Sequence, residues 1–242
     1  MLGHARFVGS DRWPANTGSG PSWRASVRPL PRRPRRVAGT VVAESRRLRD
    51  WQIELMNSFF PGYFDELSEL IAGVDDNDLD AVVDLLEMVA GSGCKVLLAG
   101  NGGSAAVVNH VTVDLVRAAG IRAVNFNESS LVTCFANDYG YDQWVAKSLL
   151  AHSDPGDLAI LVSSSGESDN IVNAARVAED LGLSLVVLSG FDPDNRLRSH
   201  GDVSLWVDSR SYNHVENSHQ VWLLAVVDRF IASHRGESAV DE

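Results

Sequence analysis

Cysteine is scarce in this chain, with only Cys94 and Cys134 among 242 residues. Two cysteines in this arrangement make neither a metal-binding nor a disulfide pattern. Both stand beside apolar segments and are expected to be small core residues in a reducing compartment. Long apolar runs are missing too. Stretches such as Val96–Ala99 are far too short to cross a bilayer. No sustained apolar segment follows the early arginines, so no secretory signal is expected. Two nucleotide signatures are also absent. The glycine run at Gly100–Gly103 lacks the lysine of a Walker phosphate loop and the third glycine of a dinucleotide fingerprint. No nucleotide cofactor is therefore expected.

Charge is unevenly placed. The net charge is −11, yet residues 1–50 hold 11 Arg and no Lys, against only Asp11, Glu44 and Asp50. The remainder, 51–242, has ten basic and 29 acidic residues, a net of −19. An acidic body repels nucleic acid, and only the tail has the charge to meet a phosphate backbone. That tail carries five of the eight prolines, including a Pro-Arg-Arg-Pro-Arg-Arg run at 31–36. It shows no helix or strand periodicity before about Val41 and is expected to be disordered. Three origins fit it: a basic interaction arm, a targeting peptide, or upstream sequence from a misplaced start codon, since Met56 opens a well-patterned helix.

From Trp51 the pattern changes. Leu55, Phe59, Phe60, Tyr63, Phe64, Leu67 and Leu70 recur at helical spacing, interrupted by Pro61. A second helix follows the capping-type Asp76-Asn77-Asp78, with Leu79, Val82, Val83, Leu85, Leu86 and Val89. Two helices ahead of the first strand suggest packing across the core or against another subunit. Strand and helix then alternate. Strands are expected at Lys95–Ala99, Ile121–Asn125, Leu158–Val162, Leu183–Leu188 and Val203–Val207. Helices are expected at Ser104–Ala119, over 128–151 around an Asn137–Asp142 turn, at Asp169–Leu181 and from Asn213 to His234. Buried strands with short βα turns predict a doubly wound parallel α/β sheet flanked by helices. The boundaries read as a tail over 1–50, one domain over 51–235 and a flexible C-terminus over 236–242.

Two turns carry the chemistry. In an open parallel sheet, ligands bind where strands end and helices begin, because free N–H groups and the helix dipole favour an anion there. Gly100-Asn101-Gly102-Gly103-Ser104 allows close backbone approach, and Ser104 can cap the helix or bind a ligand oxygen. Ser163-Ser164-Ser165-Gly166-Glu167-Ser168 offers four hydroxyls after a buried strand. A capped turn explains one or two serines; four make a neutral cradle for a phosphate.

Together Gly100–Ser104, Asn137-Asp138-Tyr139-Gly140-Tyr141-Asp142 and Ser163–Ser168 resemble the motifs of a sugar isomerase (SIS) domain. The similarity covers about residues 56–235 and is nearest to the phosphoheptose isomerases, which convert sedoheptulose 7-phosphate to glycero-manno-heptose 7-phosphate. It implies a cytosolic homotetramer with active sites formed between subunits. By motif position, Asn101, Gly102, Ser104, Ser163, Ser164, Ser165 and Ser168 would hold the sugar phosphate, with Asp138 beside it.

An aldose–ketose isomerisation moves a proton between C1 and C2, which needs a base over the C–H bond and an acid or metal at the oxygens. His110 and Asp114, at i and i+4, share one helix face. The resembled family carries His and Glu there, so Asp114 is one methylene short. Glu216 and His219 stand at i, i+3 on the last helix. The family has Gln at the first place and a catalytic His eight residues later, where this chain has Leu224. Val215-Glu216-Asn217-x-His219 is similar to a divergent heptose-isomerase branch, so His219 is expected to take over catalysis with Asp114 and Glu216. His110, Asp114, Glu216 and His219 also form a donor set suited to zinc if the two helices converge. His214 is expected to be an exposed cap neighbour. Two other outcomes stay open: a non-catalytic SIS module that senses a sugar phosphate or binds a protein, and nucleic-acid binding through the tail.

Overall fold

Three runs of Val, Leu, Ile and Ala are buried along their whole length or nearly so: β1 (Lys95–Gly100), β3 (Leu158–Ser163) and β4 (Ser184–Gly190). Strands apolar on both faces must be covered on both faces, which is the condition for a parallel sheet. The computed structural model describes residues 58–234. The expected tail, the C-terminal segment 236–242, and Leu55 and Met56 lie outside the described residues.

The five strands pair in parallel in the order β2-β1-β3-β4-β5, with β2 at Arg122–Asn125 and β5 at Val203–Val207 on the edges. Helices α1 over 58–72 and α2 (Asp76–Ser92) precede β1, and α3 (Gly102–Arg117), α4 (Ser129–Tyr139), α5 (Trp144–His152) and α6 (Asp169–Asp180) fill crossovers. A 3-10 turn (Leu197–Ser199) lies between β4 and β5, and α7 (Tyr212–His234) follows β5. The doubly wound sheet expected from the alternation is present. Its strand order reverses between β1 and β3, the place where such sheets open a ligand crevice.

Alternate residues of each strand serve two cores. Val96, Leu98, Ile160, Val162, Val186 and Leu188 pack with α2, α3 and α7. Leu97, Ala99, Ala159, Leu161, Leu185 and Val187 face α5 and α6. Pro61 lies inside α1 without ending it. The bond that proline removes would reach back four residues, to position 57, beyond the described part of the helix. The Trp222 indole donates to the Ile71 carbonyl at 2.8 Å and pins α1 to α7. Helix α2 is capped one residue earlier than expected, with Asp75 accepting from the Asn77 amide at 2.9 Å.

The loop helices start where the chemistry needs them. Helix α3 begins at Gly102, two residues ahead of the expected Ser104, and α6 begins at Asp169 as expected. Both therefore aim N-termini at the β1/β3 crevice.

Candidate active site

The serine loop leaves β3 and turns at Gly166, whose φ of +68° is readily taken up only by glycine. Ser163 donates to the Ser168 hydroxyl at 3.1 Å, closing the turn, and the Glu167 amide donates to Ser165 at 3.2 Å. The loop is braced from behind. A Cβ on Gly166 would overlap the buried Asn195 side chain, and the Gly166 carbonyl accepts from the Leu197 amide at 3.0 Å. Asn195 is itself held by the Ser189 hydroxyl and the Gly190 and Asp192 oxygens. Arg196 donates to the Glu167 carboxylate at 2.6 Å and to Asp169 at 2.9 Å. Those hydrogen bonds, Glu167 first, raise the Arg196 pKa. The two carboxylates flanking the cradle are thus tied to a guanidinium, which reduces their repulsion of an incoming anion.

The glycine loop is built differently. A Cβ on Gly103 would overlap the Glu216 carboxylate, so that carboxylate lies directly on the first turn of α3. It accepts from Ser164 at 3.1 Å, and the Ser164 and Ser104 hydroxyls are themselves 3.1 Å apart. The positive end of α3 is already met by the chain's own negative charge. Among the described residues, the N-terminus of α6, at the serine loop, carries no such carboxylate contact on its serines beyond that of Ser164 with Glu216. Asn101 and Asn170 exchange a reciprocal amide pair at 2.9 Å, and Tyr141 donates to the Asn101 oxygen at 3.1 Å. Gly102 is exposed at the mouth of this loop.

Helix α3 carries His110 Nε2 3.5 Å from Asp114 Oδ2, both partly exposed. On the facing helix, the Gln220 amide nitrogen is 3.1 Å from His110 Nδ1. Gln220 was not among the expected site residues. Its signal was present in the spacing, because it lies one turn, i+4, beyond Glu216. Asn127 was missed as well; it donates to Asn109 at 2.7 Å and ties the loop after β2 to α3.

Several expectations are corrected here. His219 is wholly buried, with Nε2 on the Ser189 carbonyl at 3.0 Å. At i+3 from Glu216 it turns into the core, whereas i+4 stays on the face. It does not reach the crevice, so neither the catalytic nor the metal role fits it. Among the described residues no three His, Cys, Asp or Glu side chains are grouped to hold a metal ion, so the zinc set does not assemble within one chain. Leu224 packs against the apolar core. Asp138 stays exposed, as a group beside a substrate must, with Cys134 and Asn137 as hydrogen-bond partners, and Tyr141 three residues on contacts the glycine loop. Cys134 is exposed instead of core, and the charge of Asp138 beside it raises its thiol pKa. His214 is buried against the Tyr63 ring, 3.3 Å from Glu66.

Burial lowers the His219 pKa from 6.5 to about 4, against a smaller upward push from the Ser189 carbonyl. A lowered folded value means the unfolded chain takes the proton first as pH falls. The stability from keeping this ring neutral is full above about pH 6.5 and is lost between there and about pH 4, up to roughly 3 kcal/mol. His219→Gln should remove most of that loss when urea unfolding is compared at pH 7.5 and 4.5. An unchanged pH dependence in the variant would show that His219 is not its source.

With the fold and crevice described, similarity to known proteins becomes specific. The SIS domain family model matches residues 62–190, just over half of the chain. The chain belongs to the SIS domain family. Among SIS relatives, the phosphoheptose isomerase of Streptomyces coelicolor is 37% identical over 161 residues, 64% of this chain and 69% of that protein. The phosphoheptose isomerase of Mycobacterium tuberculosis is 34% identical over 148 residues, 57% of this chain and 74% of that protein. In three dimensions, phosphoheptose isomerase GmhA from Neisseria gonorrhoeae shares the SIS fold. Its TM-score is 0.67 at 24% identity, covering 74% of this chain and 99% of that one.

Proposed function

We propose that this SIS protein is a phosphoheptose isomerase, converting sedoheptulose 7-phosphate to D-glycero-D-manno-heptose 7-phosphate for nucleotide-activated heptose synthesis. The observation that carries the reading is the contrast between the two helix termini: α3 is neutralised by Glu216, while the serine cradle at α6 offers hydroxyls and amides. A terminal phosphate anchored at α6 directs the sugar chain toward α3, whose outer face bears His110 and Asp114. The 37% identity to a phosphoheptose isomerase supports the substrate class.

In this mechanism Asp114 takes a proton from C1 of the ketose and returns it to C2 through an enediol. The His110 N–H, on the nitrogen 3.5 Å from Asp114, polarises the substrate oxygens as the hydroxyl proton passes from O1 to O2, while Glu216, on the first turn of α3, hydrogen-bonds the serine loop through Ser164. Large apolar side chains exposed on α1 (Phe59, Phe60, Phe64) and on α3 (Val113, Val116) support a homotetramer with sites between subunits. Among the described residues no helix is long and apolar enough to cross a membrane, which agrees with a cytoplasmic enzyme.

A second reading, a non-catalytic module that binds a sugar phosphate, is favoured by Leu224 and by the burial of His219. The deciding experiment incubates the protein with sedoheptulose 7-phosphate, with and without zinc, and follows aldoheptose phosphate by NMR. Product formation supports the isomerase. Binding without product in either condition overturns it in favour of the module.

A further inference from the structure

Helices α3 and α7 meet at two points along the site: Glu216 on Gly103, and Gln220 on His110. Glu216 and Gln220 are one turn apart on α7, and His110 and Asp114 are one turn apart on α3. The second contact has a chemical consequence. A carboxamide nitrogen only donates, so with that nitrogen 3.1 Å from the ring the His110 Nδ1 is placed to accept. The ring proton then sits on Nε2, the nitrogen that faces Asp114 at 3.5 Å. Which imidazole nitrogen bears the proton is set by the bond the other one makes.

We infer that Gln220 is a positioning residue that fixes His110 as its Nε2–H tautomer and aims that N–H at Asp114 and the reacting oxygens. The catalytic consequence rests on the isomerase reading. His110 is about half exposed, and its rotation and tautomer would otherwise be free. Asp114, on the same helix, orients only the Nε2 side. Gln220 is half-buried and reaches the ring from the opposite helix, so the imidazole is held at Nδ1 while Asp114 stands 3.5 Å from Nε2. The carboxylate then has a neighbouring N–H to hydrogen-bond rather than a lone pair to repel.

The test uses full-length wild type, Gln220→Leu and Gln220→Glu, with side-chain ¹⁵N NMR of His110 assigned through a His110→Gln variant. Wild type should show the Nε2–H form as the dominant neutral tautomer. The leucine variant should relax toward the mixture of a free imidazole. The nearly isosteric glutamate accepts instead of donating and should draw the proton to Nδ1. In the same samples kcat should fall at least about tenfold in both variants, with KM changed by less than about twofold. The thermal midpoint should stay close to that of wild type.

A His110 tautomer unaffected by either substitution overturns the inference. So does a shifted tautomer with unchanged kcat, which would make the contact structural only. Wild type lacking turnover would instead defeat the isomerase reading, and the NMR spectra would still decide whether Gln220 sets the tautomer.

Discussion

Replacing Asp114 by asparagine should lower turnover of sedoheptulose 7-phosphate by roughly 10²- to 10⁴-fold, the usual contribution of a positioned acid–base group. Asparagine has nearly the same size, so the helix and the contact with His110 are expected to survive. What disappears is the capacity to take a proton from carbon. Asp114 sits in the last turn of α3 with its side chain 35% exposed, open to solvent. Because proton abstraction is made only in the transition state, kcat should fall while KM changes little. Asp114→Glu keeps the carboxylate and should retain most of the rate. Steady-state kinetics of the two variants check this. Asparagine within threefold of wild type would remove Asp114 from the chemistry.

Gly166→Ala should raise KM for the sugar phosphate about 10- to 100-fold and also destabilise the protein. Two independent constraints meet at this residue. Its φ of +68° costs an L-residue about 1–2 kcal/mol, and the added methyl overlaps Asn195. Asn195 is buried and holds Ser189, Gly190 and Asp192, so it cannot yield without losing those bonds. The loop must therefore shift, carrying Ser163, Ser165 and Ser168 off register. One charge-assisted hydrogen bond is worth roughly 1.5–3 kcal/mol, which sets the size of the KM effect. Arg196→Ala removes the guanidinium that ties down Glu167 and Asp169 without touching Gly166, and should raise KM in the same direction by a smaller factor. Kinetics with a thermal melt separate the two effects. A Gly166→Ala protein with wild-type KM would show that the serine loop does not hold the phosphate.

The corrections at the site share one cause. Residues three apart and four apart on a helix both look like neighbours in a sequence, but they are 60° to one side and 40° to the other. His219 falls on the buried side of Glu216, and Gln220 falls on the side that meets α3. Nothing within α7 alone says which side that is, since it depends on where α3 and β4 pack. His214 and Cys134 were misplaced for the same reason. Each has a neutral local pattern, and only the packing of α1 on α7, or which face of α4 turns to the core and which to solvent, decides its burial.

The sequence by itself determined the alternation of apolar strands and helices, the parallel sheet, and the two Gly/Ser turns at its carboxyl edge. Those features are local, because periodicity, glycine and capping chemistry act within a few residues. Only the tertiary structure decided which helix terminus is filled by Glu216. It alone also decided that His110 answers to Gln220 and that His219 belongs to the core. Each of these is a contact between residues 30 to 113 positions apart, fixed by how the helices pack across the sheet.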